Sequence, residues 1–545
     1  MNSIQYYHKS SAITRLLLAI FLIGLYTSAS AQTKTLHTHL SPIYKKEPQH
    51  SLSYIVGHDA EGYFALKNQS AGLIGNKVDY LLEKYDYASE LLESRLLELM
   101  DDSGVATRSF SEVVLLLDGK LYLFHNVVDN SDKKRKLYAQ QLDLYNLSPL
   151  EQPRLVAQFS FEGFGRANSG DFVYRVSPDG KLLLLTSVSP AGRIGVVTQS
   201  TQVLDSEFKE LYRIGSPRPA EDEILFTASY DMDNDGNLYV LSKIYDRALR
   251  DRRNGQPNYT YELTSYWNGG KDIRTYDIDD GGYFLTQMVT SVLADGDIIC
   301  VGFYGDRNLS DIQGSFHLKI DKETRKTVSR EFSAFDVEFL GQNLNRRKQK
   351  RIARRDEAGK DNELTGYVLH EIIQRKDGGL YLVAENAYVR EIGNNQGVGI
   401  NNNLGVRSFE YIYNDIVVIS MSAKGVVEWR EKIAKRQEST NDEGRYLSYA
   451  VQLVNDELYF VFNDDPRNLD YDGEGKINRY ARQNNDVINL VHVTSSGKQS
   501  RHLLYSLQDA KVIARPRIHS QISEDLMVIY CELLRKERFL TLSFE

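Results

Sequence analysis

Cysteine is scarce in this chain: two residues in 545. Two thiols allow one disulfide at most. Cys300 and Cys531 fall in strand-like runs far apart in sequence, and are expected as buried thiols, although export would permit a bridge. An excess of positive charge is also missing. Lys and Arg number 66 against 74 Asp and Glu, a net charge of −8, which argues against nucleic acid as a partner. Past residue 31 no apolar window is long enough to cross a bilayer. The sequence has no His-Glu-x-x-His, no Gly-x-Ser-x-Gly and no Gly-x-x-x-x-Gly-Lys-Ser/Thr, so the common hydrolase and nucleotide-binding signatures are absent. Helix-period stretches are few. Only Tyr87–Met100 and the basic segment at 340–356 read as helical.

The first 31 residues read as a signal peptide. His8, Lys9 and Arg15 form a basic leader, and Leu16 to Tyr26 is an apolar run of 11 residues. Ala29-Ser30-Ala31 offers the small residues a signal peptidase reads, so cleavage is expected after Ala31. No cysteine stands near that point for a lipoprotein anchor. The mature chain then has 514 residues and, without Lys9 and Arg15, a net charge of −10. A periplasmic or secreted location follows as an expectation, with no membrane span left after cleavage.

What the chain has in abundance is one repeated unit. An apolar run, a turn pair and a second apolar run make a β-hairpin signal, as in Val113–Leu117, Asp118-Gly119 and Leu121–Phe124. Aligned on the first apolar residue after the turn, the unit recurs at Tyr63, Leu121, Leu182, Leu238, Ile298, Leu380, Leu458 and Leu526, at intervals of 58, 61, 56, 60, 82, 78 and 68 residues. Five of the eight turns keep Asp-Gly. Each interval has room for two further strands. Four short strands per unit, repeated, specify an all-β β-propeller, since only blade-against-blade packing covers both faces of every sheet. Eight four-stranded blades are expected, with seven as the alternative. Closure is expected from Thr35–Leu40 pairing beside Arg517–Ile522, Leu526–Cys531 and Phe539–Phe544. Residues 32–545 thus form one domain, because repeat folds grow without adding cores.

Loop insertions are expected near 247–275, 340–363, 393–407 and 464–485. Loops between second and third strands, and between consecutive blades, open on one face of a propeller, so these insertions crowd one face. The run at 346–355 holds seven basic residues in ten, suited to an anionic partner such as a polysaccharide or a membrane surface. Tyr259, Tyr261, Tyr266 and Trp267 fall in the first insertion, where aromatic rings can stack on sugars; the structural alternative is ordinary strand residues with a wet hydroxyl.

Asp231, Asp233 and Asp235, followed by Gly236, match the opening of a calcium loop, but Ser242 stands where a closing Glu belongs. Calcium is the one cofactor considered, and the segment is equally a hairpin turn. His370-Glu371 opens the first strand of blade six. Strand alternation sends the two to opposite sides, which weighs against an acid–base pair. A ligand site is expected where Lys435, Arg436, Gln437, Asn441 and Tyr449, joining blades six and seven, meet Glu385 and Asn463, Asp464 and Asp465 at the ends of second strands. The alternative is that these Asn and Asp residues make turns.

Tyr413-Asn414-Asp415-Ile416-Val417-Val418, Val427-Glu428-Trp429, Lys435-Arg436-Gln437, Leu458 to Asp464 and Arg515-Pro516-Arg517 to Ser523 resemble exported, uncharacterised bacterial proteins with propeller-like repeats of kelch or WD40 type. The resemblance covers the C-terminal third best. It implies the fold and carries no catalytic motif. The function expected is a non-catalytic binding module that recognises a protein or a cell-surface glycan through its decorated face. The alternatives are a glycan-active hydrolase or lyase working at the central channel, and a structural piece of an envelope assembly.

Overall fold

The computed structural model describes residues 34–46, 50–69, 80–100, 112–161, 170–191, 196–215, 223–250, 252–276, 278–293, 296–305, 311–360, 362–392, 408–483 and 485–545. Residues 1–33, which include the expected signal peptide, lie outside them. Eight four-stranded antiparallel sheets follow one another along the chain as blades of a β-propeller. Blade one spans residues 50–97, blade two 112–160, blade three 171–215 and blade four 223–276. Blade five spans 284–334, blade six 367–433, blade seven 450–506, and blade eight 513–544 together with Leu36–Leu40.

Blade six shows why the apolar runs fold this way. Leu380, Leu382 and Ala384 point to one side of the sheet and pack with Ile299, Val301 and Phe303 of blade five. Tyr381 and Val383 point to the other and pack with Leu458, Phe460 and Phe462 of blade seven. A strand buried on both faces needs an unbroken apolar run, and side chains of successive residues serve opposite neighbours. Each such side chain contributes about 1.5–3 kcal/mol by leaving water. The hairpin at Leu117–Lys120 turns on Asp118 (φ 50°) and Gly119 (φ 71°). Both residues are left-handed, the geometry that matches strand twist and that Asp-Gly tolerates.

The two ends of the chain are zipped into one sheet. Leu36–Leu40 runs antiparallel to Lys536–Phe544, from Leu36 opposite Phe544 to Leu40 opposite Leu540. Thr35 and Glu545 exchange backbone hydrogen bonds of 2.7 and 3.0 Å. Arg538 donates to the carbonyls of Leu40 and Ser41. The seam with blade one holds a buried charge cluster: Lys67 Nζ lies 2.6 Å from Glu83 and 2.5 Å from Glu537. Tyr530 donates to Glu537 at 2.7 Å.

Two local expectations are corrected. Leu91–Leu97 is the fourth strand of blade one, not a helix. Its pairing with Tyr80–Asp86 overrides the helical propensity of its Leu and Glu residues. Tyr259–Trp267 is the third strand of blade four, so Tyr259, Tyr261, Tyr266 and Trp267 are strand residues rather than loop aromatics. The true insertion there is a small hairpin, Arg252–Arg253 against Gln256–Pro257. The basic segment does form a helix, Arg346–Glu357, capped by the Asn345 side chain. Both cysteines are free and buried. Residues 393–407 lie outside the described residues, but the strands entering and leaving them, Leu380–Ile392 and Ser408–Met421, extend past the blade as an arm. Gln437–Thr440 adds a third strand to it.

Candidate functional site

The connections between blades five, six and seven lie together. At their centre is a buried polar node. Lys435 Nζ lies 2.6 Å from Glu385 Oε1 and donates to Gln437 Oε1 (3.0 Å) and the Tyr413 carbonyl (3.1 Å). Ser448 Oγ donates to Glu385 Oε2 at 2.7 Å, and Gln437 Nε2 to the Asn463 carbonyl at 2.8 Å. Asn463 Nδ2 reaches the carbonyls of Tyr446 and Ala514, tying blade seven to blade eight. Asp464 accepts from Asn468 (2.6 Å) and Asn489 (3.1 Å) and pairs with Arg501 at 3.2 Å. Glu385, Lys435 and Gln437 have no exposed surface. Burial pulls the Lys435 ammonium below its ordinary range, with Glu385 opposing. Burial raises the Asp464 carboxyl, with Arg501 opposing.

The remaining expected residues spread outward from this node. Tyr449 is buried; its hydroxyl sits 3.2 Å from His370 Nδ1 and its ring stacks on the imidazole. His370 occupies a β-bulge between Leu369 and Glu371. The bulge breaks the alternation expected for His370-Glu371 and leaves the imidazole 3.8 Å from Glu385 instead. Burial lowers the His370 pKa, Glu385 opposes, and Lys435 and Arg517 add to the lowering. Arg436 lines a surface cleft and pairs with Glu438 at 3.0 Å. Asn441 caps the arm, exchanging hydrogen bonds with Phe409. Asp465 caps the short turn Pro466–Asn468 and pairs with Arg467.

The cleft is the open feature beside the node. The connection between blades five and six folds back over the outer strand of blade six. Lys432 N donates to Gln342 Oε1, and Asn343 Nδ2 to the Lys432 carbonyl. This seats Val337–Gly341 and, behind it, the basic helix, whose Ile352 packs on the core between blades five and six. A cleft of about 700 Å³ remains between the helix and the blade. Its walls carry Lys348, Arg351, Arg355, Lys432, Lys435 and Arg436 against Glu363 and Asp415. Burial lowers Lys432 to about 8 and raises the Asp415 carboxyl. Lys348 and Arg351 were legible as part of a basic run. Asp415, Lys432 and the Asn414 amide gave no sequence signal, because only the folded-back connection brings them together.

The calcium pattern is arranged as a turn. Asp233 Oδ1 accepts from the backbone of Asp235 and Asn237, and Oδ2 from the Asn237 amide. Asp231 lies 3.7 Å from Arg175. Among the described residues no group of three or more His, Cys, Asp or Glu side chains is placed to hold a metal.

No family model matches this chain, and no curated protein matches it. Solved structures that it resembles include the WD40 domain of SCAP from fission yeast, at 8% identity, covering 93% of this chain and 98% of that one with a TM-score of 0.33. A protein of unknown function from Dyadobacter fermentans covers 92% of this chain and 100% of its own, at 9% identity and a TM-score of 0.30. A thermostable family-43 glycoside hydrolase covers 54% of this chain and 98% of its own, at 12% identity and a TM-score of 0.23. Likenesses this distant carry nothing about function.

Proposed function

We propose that the chain is an exported binding module, a propeller that recognises a protein or cell-surface glycan through the face carrying the cleft and the arm. The observation behind this reading is the cleft beside blade six. It is open, lined by six basic side chains, and walled by a helix inserted between two blades. Function in repeat scaffolds sits on such loops, and pockets of this size suit small recognition elements. The test replaces residues 345–361 with a short Gly-Ser linker. A ring that still melts cooperatively should lose its binding on a glycan array or to envelope proteins. Unchanged binding, or none by the intact chain, overturns the reading. Export is tested by the mass of the mature protein, which should begin at Gln32.

A second reading, a glycan-active hydrolase or lyase at the channel, is favoured by His370. It lies on an innermost strand with 28% of its side chain exposed, and burial shifts its pKa downward, toward the neutral imidazole that a general base uses. Polysaccharide cleavage lost in His370→Ala would support it. No cleavage by the intact chain removes it.

A further inference from the structure

We infer that the cleft beside blade six is a subsite for an acidic polysaccharide, a chain carrying carboxylates and hydroxyls on the same sugar. The inference rests on the binding-module reading above and names its ligand class.

Charge is the first ground. The protein is net negative, yet six basic side chains and two acidic ones line this cleft. Lys435 is neutralised by Glu385, and Arg436 is paired with Glu438. Lys348 and Arg351 have no acidic partner among the described residues and lie one turn apart on the helix face toward the cleft. Lys432 donates to a backbone carbonyl, that of Leu340. The cations without an acidic partner therefore sit on the helix wall, and Lys432 faces them from the blade beside Asp415.

Hydrogen bonding is the second ground, and it separates a sugar acid from a bare anion. Asn343, Asn362 and Asn386 also line the cleft, and each gives its NH2 group to a backbone carbonyl. Asn414 gives its NH2 to Asn386, and its buried Oδ1 has no hydrogen-bond partner among the described residues. The oxygens of Asn343 and Asn386 accept from Tyr471 and Asn414, and each amide retains one N–H and a free lone pair. Asp415 adds a carboxyl group that accepts a 3.2 Å bond from Lys435 N. Amide donors and acceptors interleaved with cations suit a ligand that both donates and accepts as well as carrying negative charge. Phosphate and lipid headgroups of the simple anionic kind bring mainly acceptors. An acidic peptide brings one N–H per residue, fixed to its own backbone. A uronate ring brings a carboxylate and several hydroxyls side by side, and about 700 Å³ holds a short run of such rings.

The experiment measures binding of polygalacturonate, neutral dextran, polyglutamate and phosphatidic acid vesicles to the full mature chain. Polygalacturonate should bind and dextran should not. Binding should weaken as ionic strength rises from about 0.1 M to about 1 M, where the screening length shrinks from about 10 Å to about 3 Å. The double variant Lys348→Glu/Arg351→Glu should lose at least about tenfold in affinity. A control of equal charge change on the helix side away from the cleft, Arg347→Glu/Lys350→Glu, should lose much less. Both variants must melt as the parent does, since all four side chains are on an exposed helix. Equal losses in the two variants overturn the cleft as the site. Tighter binding of polyglutamate or vesicles than of polygalacturonate overturns the ligand class but leaves the decorated-face reading standing. Failure of all four probes, alongside array binding that survives loss of the helix, sinks both.

Discussion

Glu385 and Lys435 are held 2.6 Å apart with no exposed surface. Removing one partner strands the other's charge in a low dielectric. Glu385→Leu is therefore expected to cost about 3–5 kcal/mol in urea unfolding. The double variant Glu385→Leu/Lys435→Met should cost less than the two single changes added together, and strict additivity would show the pair is not coupled. His317 makes a pH-dependent contribution. Burial in the third strand of blade five, with Lys319 adding, lowers it from 6.5 to about 4. The folded state thus binds fewer protons than the unfolded one between these values. Stability is complete above pH 6.5 and is lost as pH falls toward 4, by roughly 3 kcal/mol in all. A His317→Leu chain should show a flatter profile over that window, and an unchanged slope would assign the effect elsewhere. Burial pushes the thiols of Cys300 and Cys531 up to about 12. Neither should react with iodoacetamide at pH 8 until the chain is unfolded, and native labelling would contradict their placement.

At the scale of elements, the closing strand is the most exposed to test. Without residues 34–40, the strand Lys536–Phe544 loses its outer partner over Leu540–Phe544, which becomes a free apolar edge. The truncated ring is expected to melt several degrees lower and to associate through that edge, seen as dimers in sedimentation; an unaltered monomer with an unaltered melt would count against the clasp. This strand was legible because its alternation survives in the sequence, as were the hairpins built on Asp-Gly turns. Leu91–Leu97 was not, because its residues favour helix locally and only the neighbouring strand decides otherwise. The node was partly legible. Glu385, Lys435, Gln437 and Asn463 lie at strand ends that the repeat places on one face. Ser448 and Arg501 joined it through packing that no local pattern records. His370 illustrates the limit: a bulge one residue long reverses the side toward which a strand side chain points.

At the scale of the whole molecule, the ring was readable because one spacing recurs along most of the chain, so errors in single strands did not alter the count of blades. The cleft was not readable, since it belongs to a connection that leaves the repeat and comes back over it. The sheet shared by Thr35 and Glu545 gives the backbone no privileged origin. A peptide bridge from residue 545 to residue 34, with a new break at the solvent-facing turn Asp321–Lys326 of blade five, should yield a rearranged gene product with the same eight sheets and the same spectrum in the far ultraviolet. The circle would tolerate being opened at other outward turns.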